Sequence, residues 1–148
     1  MSEHRVHVRW ERGGVDFGYE SYPRDHLWSF EGGVQVPGTA APAFRGNPER
    51  VDPEAAFVAA LSSCHMLTFL AIAARRRLVV DGYEDDAVGF LAKNEAGKLA
   101  MTRVVLRPRV VLAGAQPPAE QLAELHERAH RECFIANSVV TQVEVEAR

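Results

Sequence analysis

The stretch from Asp52 to Arg77 constrains the fold more than any other part of the chain. Asp52-Pro53-Glu54 reads as a helix start: an N-cap, a proline suited to the first helical position, and an early acid that suits the helix dipole. From Ala55 to Ala74 no carboxylate, lysine or arginine interrupts the run, and Arg75, Arg76 and Arg77 close it where the dipole favours positive charge. Such a helix has about six turns. Its apolar residues go nearly all the way round, so it is expected to be buried on most sides. The length approaches that of a membrane span. However, Ser62, Ser63, Cys64, His65, Thr68 and many alanines make it only mildly apolar, and strand-like segments surround it. The expectation is the central helix of a soluble domain, with no membrane partner. One chain of 148 residues is too small to cover it, so a dimer that buries it between two sheets is expected.

The flanking segments alternate. Val6, Val8 and Trp10 predict a first strand, and Val15, Phe17 and Tyr19 predict another after Gly13-Gly14. Leu27–Phe30 and Gly33–Val36 predict a hairpin around Glu31-Gly32-Gly33. Residues 37–53 hold four prolines and little periodicity, a long connection of the kind that often carries function, and Arg45 lies inside it. After the helix an extended region runs from Leu78 to about Ala92, and residues 93–97 turn the chain. Thr102, Val104, Leu106, Val110 and Leu112 alternate with arginines as in a half-solvated strand, with Pro108 marking an edge or a bulge. Pro117-Pro118 opens a second helix to about Cys133, with Leu122, Leu125, Ala129 and Cys133 along one face. Val139 to Val145 alternates as a last strand. This order predicts one α+β domain over residues 1–148 with antiparallel sheet.

Composition narrows the function classes. The formal charge of -3, and the absence of a basic stripe with interleaved aromatics, give no argument for nucleic acid as a partner. The first residues lack the apolar stretch of a signal peptide, so the cytoplasm is the expected location. Two cysteines are too few for a secreted disulfide framework.

Those cysteines are the candidate chemistry. Cys64 lies about three turns inside the first helix, where a core thiol and a reactive thiol are both open readings. The dipole of its own helix end does not reach it, so a thiolate there needs another positive partner, such as Arg45 brought in by the loop. His65 points about 100° away from Cys64 and reads as packing. Glu54, ten residues before Cys64, returns to within about 80° of the same direction and could orient such an arginine. Cys133 lies on the apolar face of the second helix. If that helix packs on the first, the two thiols could meet and exchange oxidation. His130 with Cys133 offers only part of a metal set, and no Cys-x-x-Cys is present. His126 and His130 sit on a mostly charged helix and read as solvated, which leaves a Cys-His hydrolase without a placed base.

Taken together, Gly46-Asn47-Pro48, Pro53-Glu54, the small residues leading into Ser63-Cys64, and the second helix ending in Cys133 make the chain resemble the osmotically inducible protein C and organic hydroperoxide resistance family of thiol peroxidases. The resemblance implies an α+β, OsmC-like fold working as an intertwined homodimer with active sites at the interface. It matches Cys64 to the peroxidatic cysteine, Cys133 to the resolving cysteine, Glu54 to the family glutamate and Arg45 to the family arginine, with Arg24 as the substitute. It implies a hydroperoxide substrate, a Cys64–Cys133 disulfide in the cycle, and reduction by an external dithiol such as a protein-bound lipoyl group, with no bound cofactor or metal. Phe57, Leu61, Met66, Phe69 and Phe134 are the candidate apolar lining of a substrate pocket, and each is also a candidate core residue. The alternative is a non-catalytic dimeric binding or stress protein on the same fold.

Overall fold

The computed structural model describes all residues 1–148, which form two compact units, Met1–Ala56 and Phe57–Arg148.

In the first unit β1 (Val6–Arg9), β2 (His26–Phe30) and β3 (Gln35–Gly38) form an antiparallel sheet in that order. The β2–β3 turn places Gly32 and Gly33 at φ 86° and 87°, a region that side chains with a Cβ avoid. The strand predicted at Val15–Tyr19 does not form. Phe17 instead lies 6.0 Å from the Trp10 ring and 5.4 Å from Tyr22, so this segment closes an aromatic cluster rather than joining the sheet. The proline-rich connection contains a 3-10 turn at Pro42–Phe44. Gly46 runs so close to the Ala40 carbonyl that any Cβ there would meet it, which explains the glycine of Gly46-Asn47-Pro48.

The long helix, α1, spans Pro53–Arg75, and the Asp52 carboxylate accepts the Ala55 amide at 2.8 Å as the N-cap. In the second unit β4 (Val80–Asp85) pairs antiparallel with β7 (Pro108–Leu112). A separate sheet has the order β5 (Val88–Lys93), β6 (Leu99–Leu106), β8 (Gln142–Val145). Pro108 begins β7 in a two-stranded sheet, the edge setting expected of it. The antiparallel expectation holds for the other strand pairs, and the last strand is the exception. It returns after α2 (Ala119–Glu132) and lies parallel to β6, because a helical crossover brings the chain back in the same direction. The fold is α+β.

α1 and α2 meet through Phe69, Ile72 and Ala73 on one side and Leu125 and Ala129 on the other, all buried. A second core sets Leu61 against Val104 and Leu106. Ser62 donates to Asp85 at 2.5 Å, and the same carboxylate accepts the Arg107 amide at 2.6 Å, which pins α1 to the corner between β6 and β7. Burial on most sides of α1 is not what the single chain provides. Only the stripe Leu61, His65, Phe69, Ile72 and Ala73 is buried, while Leu67 on another face remains 62% exposed. One chain has only enough layers to cover one stripe.

His126 also departs from expectation: it is buried, not solvated. It stacks on Phe69 at 4.4 Å and on His65 at 5.4 Å, with His65 Nε2 and His126 Nδ1 3.1 Å apart. One ring donates and the other accepts, and burial keeps both rings neutral at pH 7. Burial pushes His65 down to about 4, helped by His126 and His130. Burial likewise pushes His126 down to about 4, against the pull of Asp85. Between pH 6.5 and 4 the unfolded chain therefore binds protons that the folded chain refuses, and stability falls as pH falls. Each ring contributes roughly 2 kcal/mol of this loss by about pH 5. Urea unfolding across about pH 7.5 to 5 should show this slope, and His126→Gln should flatten it by about half; an unchanged slope would exclude the pair as its source.

Candidate functional site

Cys64 sits about three turns into α1, half-buried, with its backbone carbonyl accepting the Thr68 hydroxyl at 2.8 Å. Cys133 ends α2 and is only 1% exposed. Both thiols are free, and they are neighbours. Burial pushes the Cys133 thiol up to about 11, with the Cys64 side chain adding to the rise and the Ala136 amide opposing it. That amide donates to Cys133 Sγ at 3.5 Å.

The segment after α2 is held in a tight turn. Asn137 Nδ2 donates to the Arg131 and Cys133 carbonyls at 2.9 and 3.0 Å, and the Ser138 hydroxyl donates to the Phe134 carbonyl at 2.7 Å. These bonds satisfy carbonyls that the helix end leaves open. They also turn Phe134 outward, where it is 80% exposed, and set it with Ile135 beside α1. An open groove of about 770 Å³ results, with Cys64 in its wall.

Of the residues considered as pocket lining, Phe134 alone lines this groove. Leu61 and Phe69 are fully buried core, Phe57 packs against the second core, and Met66 is half-buried on α1. The groove wall is built instead from Ala60, Leu67, Ala71 and Ile72, with Ile135 opposite. Its signal was present in the sequence as the three- and four-residue continuation of the Cys64 position along α1, which ends at Arg75.

The arginines are engaged within the first unit. Arg45 adopts a left-handed backbone at φ 67° and pairs with Glu20, its guanidinium 5.9 Å from the Tyr19 ring centroid. Arg24 donates to the Tyr22 and Tyr19 carbonyls and lies 3.6 Å from the Tyr22 ring centroid. The fork expected between Glu54 and Arg45 is therefore not formed. Glu54 keeps a buried oxygen, Oε2, without a hydrogen-bond partner. An unsatisfied buried acceptor carries a cost that a donor would remove.

Comparison with known proteins follows the same lines. The family model described as OsmC-like protein matches residues 46–148. The solved structure of an OsmC-like protein of unknown function from Vibrio cholerae O1 biovar eltor is 49% identical, with a TM-score of 0.96 and 100% of each chain covered. The organic hydroperoxide resistance protein OhrB of Bacillus subtilis superposes with a TM-score of 0.72 at 18% identity, over 99% of this chain and 98% of that one. An OsmC-like protein from Mycoplasma pneumoniae superposes with a TM-score of 0.76 at 12% identity, over 99% and 96%. These last two share the fold. No curated protein matches the chain. On the family match and the full-length likeness to the Vibrio protein, the chain belongs to the OsmC-like protein family.

Proposed function

We propose that this chain reduces organic hydroperoxides, with hydrogen peroxide as a further substrate, through a cycle of two cysteines. The observation that carries the reading is a half-buried thiol in the wall of an apolar groove with a second, buried thiol beside it. The Cys64 thiolate attacks the distal peroxide oxygen. The O–O bond breaks, the alkoxide leaves and takes a proton as the alcohol, and Cys64 becomes a sulfenic acid. Cys133 then attacks that sulfur, water leaves, and a Cys64–Cys133 disulfide forms. An external dithiol, such as a lipoyl group on a partner protein, reduces the bond and is itself oxidised to a disulfide.

The cation that favours the thiolate is assigned to Arg45, with Arg24 as the substitute, and Glu54 is its orienting carboxylate. The unpartnered Glu54 oxygen supports a role that awaits a donor. A second copy of the chain covers the exposed face of α1 and roofs the groove, which the exposure of Leu67 supports. The redox cycle suits the reducing cytoplasm, where dithiol partners are available.

Treatment with one equivalent of cumene hydroperoxide should remove both free thiols and leave a Cys64–Cys133 bond, visible by mass spectrometry. An unchanged thiol count would make the protein a binding protein. Cys64→Ser should lower turnover by about a thousandfold or more, and Cys133→Ser should leave a sulfenic acid that over-oxidises; full multiple turnover in Cys133→Ser would remove its resolving role. Arg45→Ala should slow sulfenic acid formation by about tenfold or more, and an unchanged rate would transfer the role to Arg24. Leu67→Glu should turn a dimer into a monomer in sedimentation; a monomeric parent protein would refute the proposed pairing.

A further inference from the structure

We propose that His65 and His126 are positioning residues for the resolving step: the bond between them sets the end of α2 so that Cys133 meets the oxidised sulfur of Cys64. This rests on the two-cysteine reading above and adds the residues that make its second step fast.

The apolar contact between α1 and α2 stops short of the sulfurs. On α1 it is made by Phe69, Ile72 and Ala73, while Leu61 turns to the other core, against β6. Phe69, the nearest of these to Cys64, lies about 7.5 Å further along the helix. On α2 the contact ends at Ala129, a turn before Cys133. His65 is the one buried residue between Leu61 and Phe69, and it directly follows Cys64. Its Nε2, 3.1 Å from His126 Nδ1, ties α1 to α2 beside the thiol. One turn on from His126, the His130 carbonyl accepts the Cys133 amide at 3.3 Å, so the placement of His126 passes to the second sulfur through backbone.

Stability does not account for the pair. His65 Nδ1 is buried without a hydrogen-bond partner, a penalty that two leucines in the same space would avoid. What the imidazoles add is direction. Their planes lie within 6° of each other, and a slip of either helix breaks the bond. Such accuracy matters for a disulfide, which needs its Cβ atoms about 4 Å apart. A misplacement of about 1 Å costs an oriented reaction about a hundredfold.

In the resolving step the Cys133 thiolate attacks the Cys64 sulfenic sulfur. The S–S bond forms, the S–O bond breaks, and hydroxide leaves and takes a proton to become water. Both rings are buried and neither lines the groove, so they exchange no proton with the reacting groups and only set the approach.

The test combines His65→Leu with His126→Leu, which fills the space without an orphan nitrogen. Equilibration with reduced and oxidised dithiothreitol measures the effective concentration of the thiol pair, each protein disulfide forming as one oxidised dithiothreitol is reduced. That value should fall by about a hundredfold in the double variant, with the urea midpoint of the reduced protein unchanged or raised. After one equivalent of cumene hydroperoxide, decay of the Cys64 sulfenic acid should slow by a similar factor relative to its formation. His65→Gln, whose amide reaches the Nε2 position, should recover part of both. An unchanged effective concentration, or a loss that follows a lowered urea midpoint, would overturn the proposal. Should the double variant not fold, His65→Gln and His65→Leu make the same comparison, and equal values in the two would overturn it. A shifted effective concentration in a protein that consumes no hydroperoxide would sink the peroxidase reading and keep the positioning role. A peroxide-driven disulfide that forms equally fast in wild type and double variant would sink this proposal alone.

Discussion

The contact between α1 and α2 is the constraint on which the candidate site depends. Phe69, Ile72 and Ala73 press on Leu125 and Ala129, and the neutral His65–His126 pair adds a directional bond to that apolar contact. Hydrophobic packing alone tolerates small slips along a helix, whereas a buried donor–acceptor pair does not, because a slip leaves both rings unsatisfied. With the crossing set, the end of α2 brings Cys133 beside Cys64. The histidines help fix the crossing that makes the two sulfurs neighbours.

The surroundings of the two thiols differ in the way the proposed cycle would require. Cys133 is sealed and its thiol is held in the protonated form by burial, which suits a group that should act only after its neighbour has been oxidised. Cys64 faces a groove, the position a first contact with an oxidant requires. The Asn137 and Ser138 bonds keep the segment after α2 wound against its own helix end, so that Cys133 stays covered while Phe134 turns out to the groove. A short cap thus sets the accessibility of one sulfur and part of the lining around the other.

Much of this was legible in the residues. Asp52-Pro53-Glu54 and the three arginines bound α1 because caps and dipole charges act locally. The apolar face of α2 showed at its helical spacing, and Cys133 lay on it. Other features were hidden because they depend on what lies across the gap. His126 looked solvated among the charged residues of α2, yet it faces Phe69 and His65. Val15, Phe17 and Tyr19 alternate like a strand, but ring packing against Trp10 and Tyr22 outweighed sheet pairing. Arg45 was paired in expectation with Glu54, while a left-handed turn sends it to Glu20.

By itself, then, the sequence determined where the helices begin and end, which faces are apolar, and that a thiol sits on each helix, since all of these follow from local chemistry and period. Only the tertiary structure decided that β8 runs parallel to β6, that the histidines are neutral and buried, that the two sulfurs are neighbours, and that the continuation of the Cys64 stripe forms a groove ending at an unpaired arginine. Periodicity says which way a side chain points along its own element. What it points at is settled by the partner element, and that is a property of the folded chain alone.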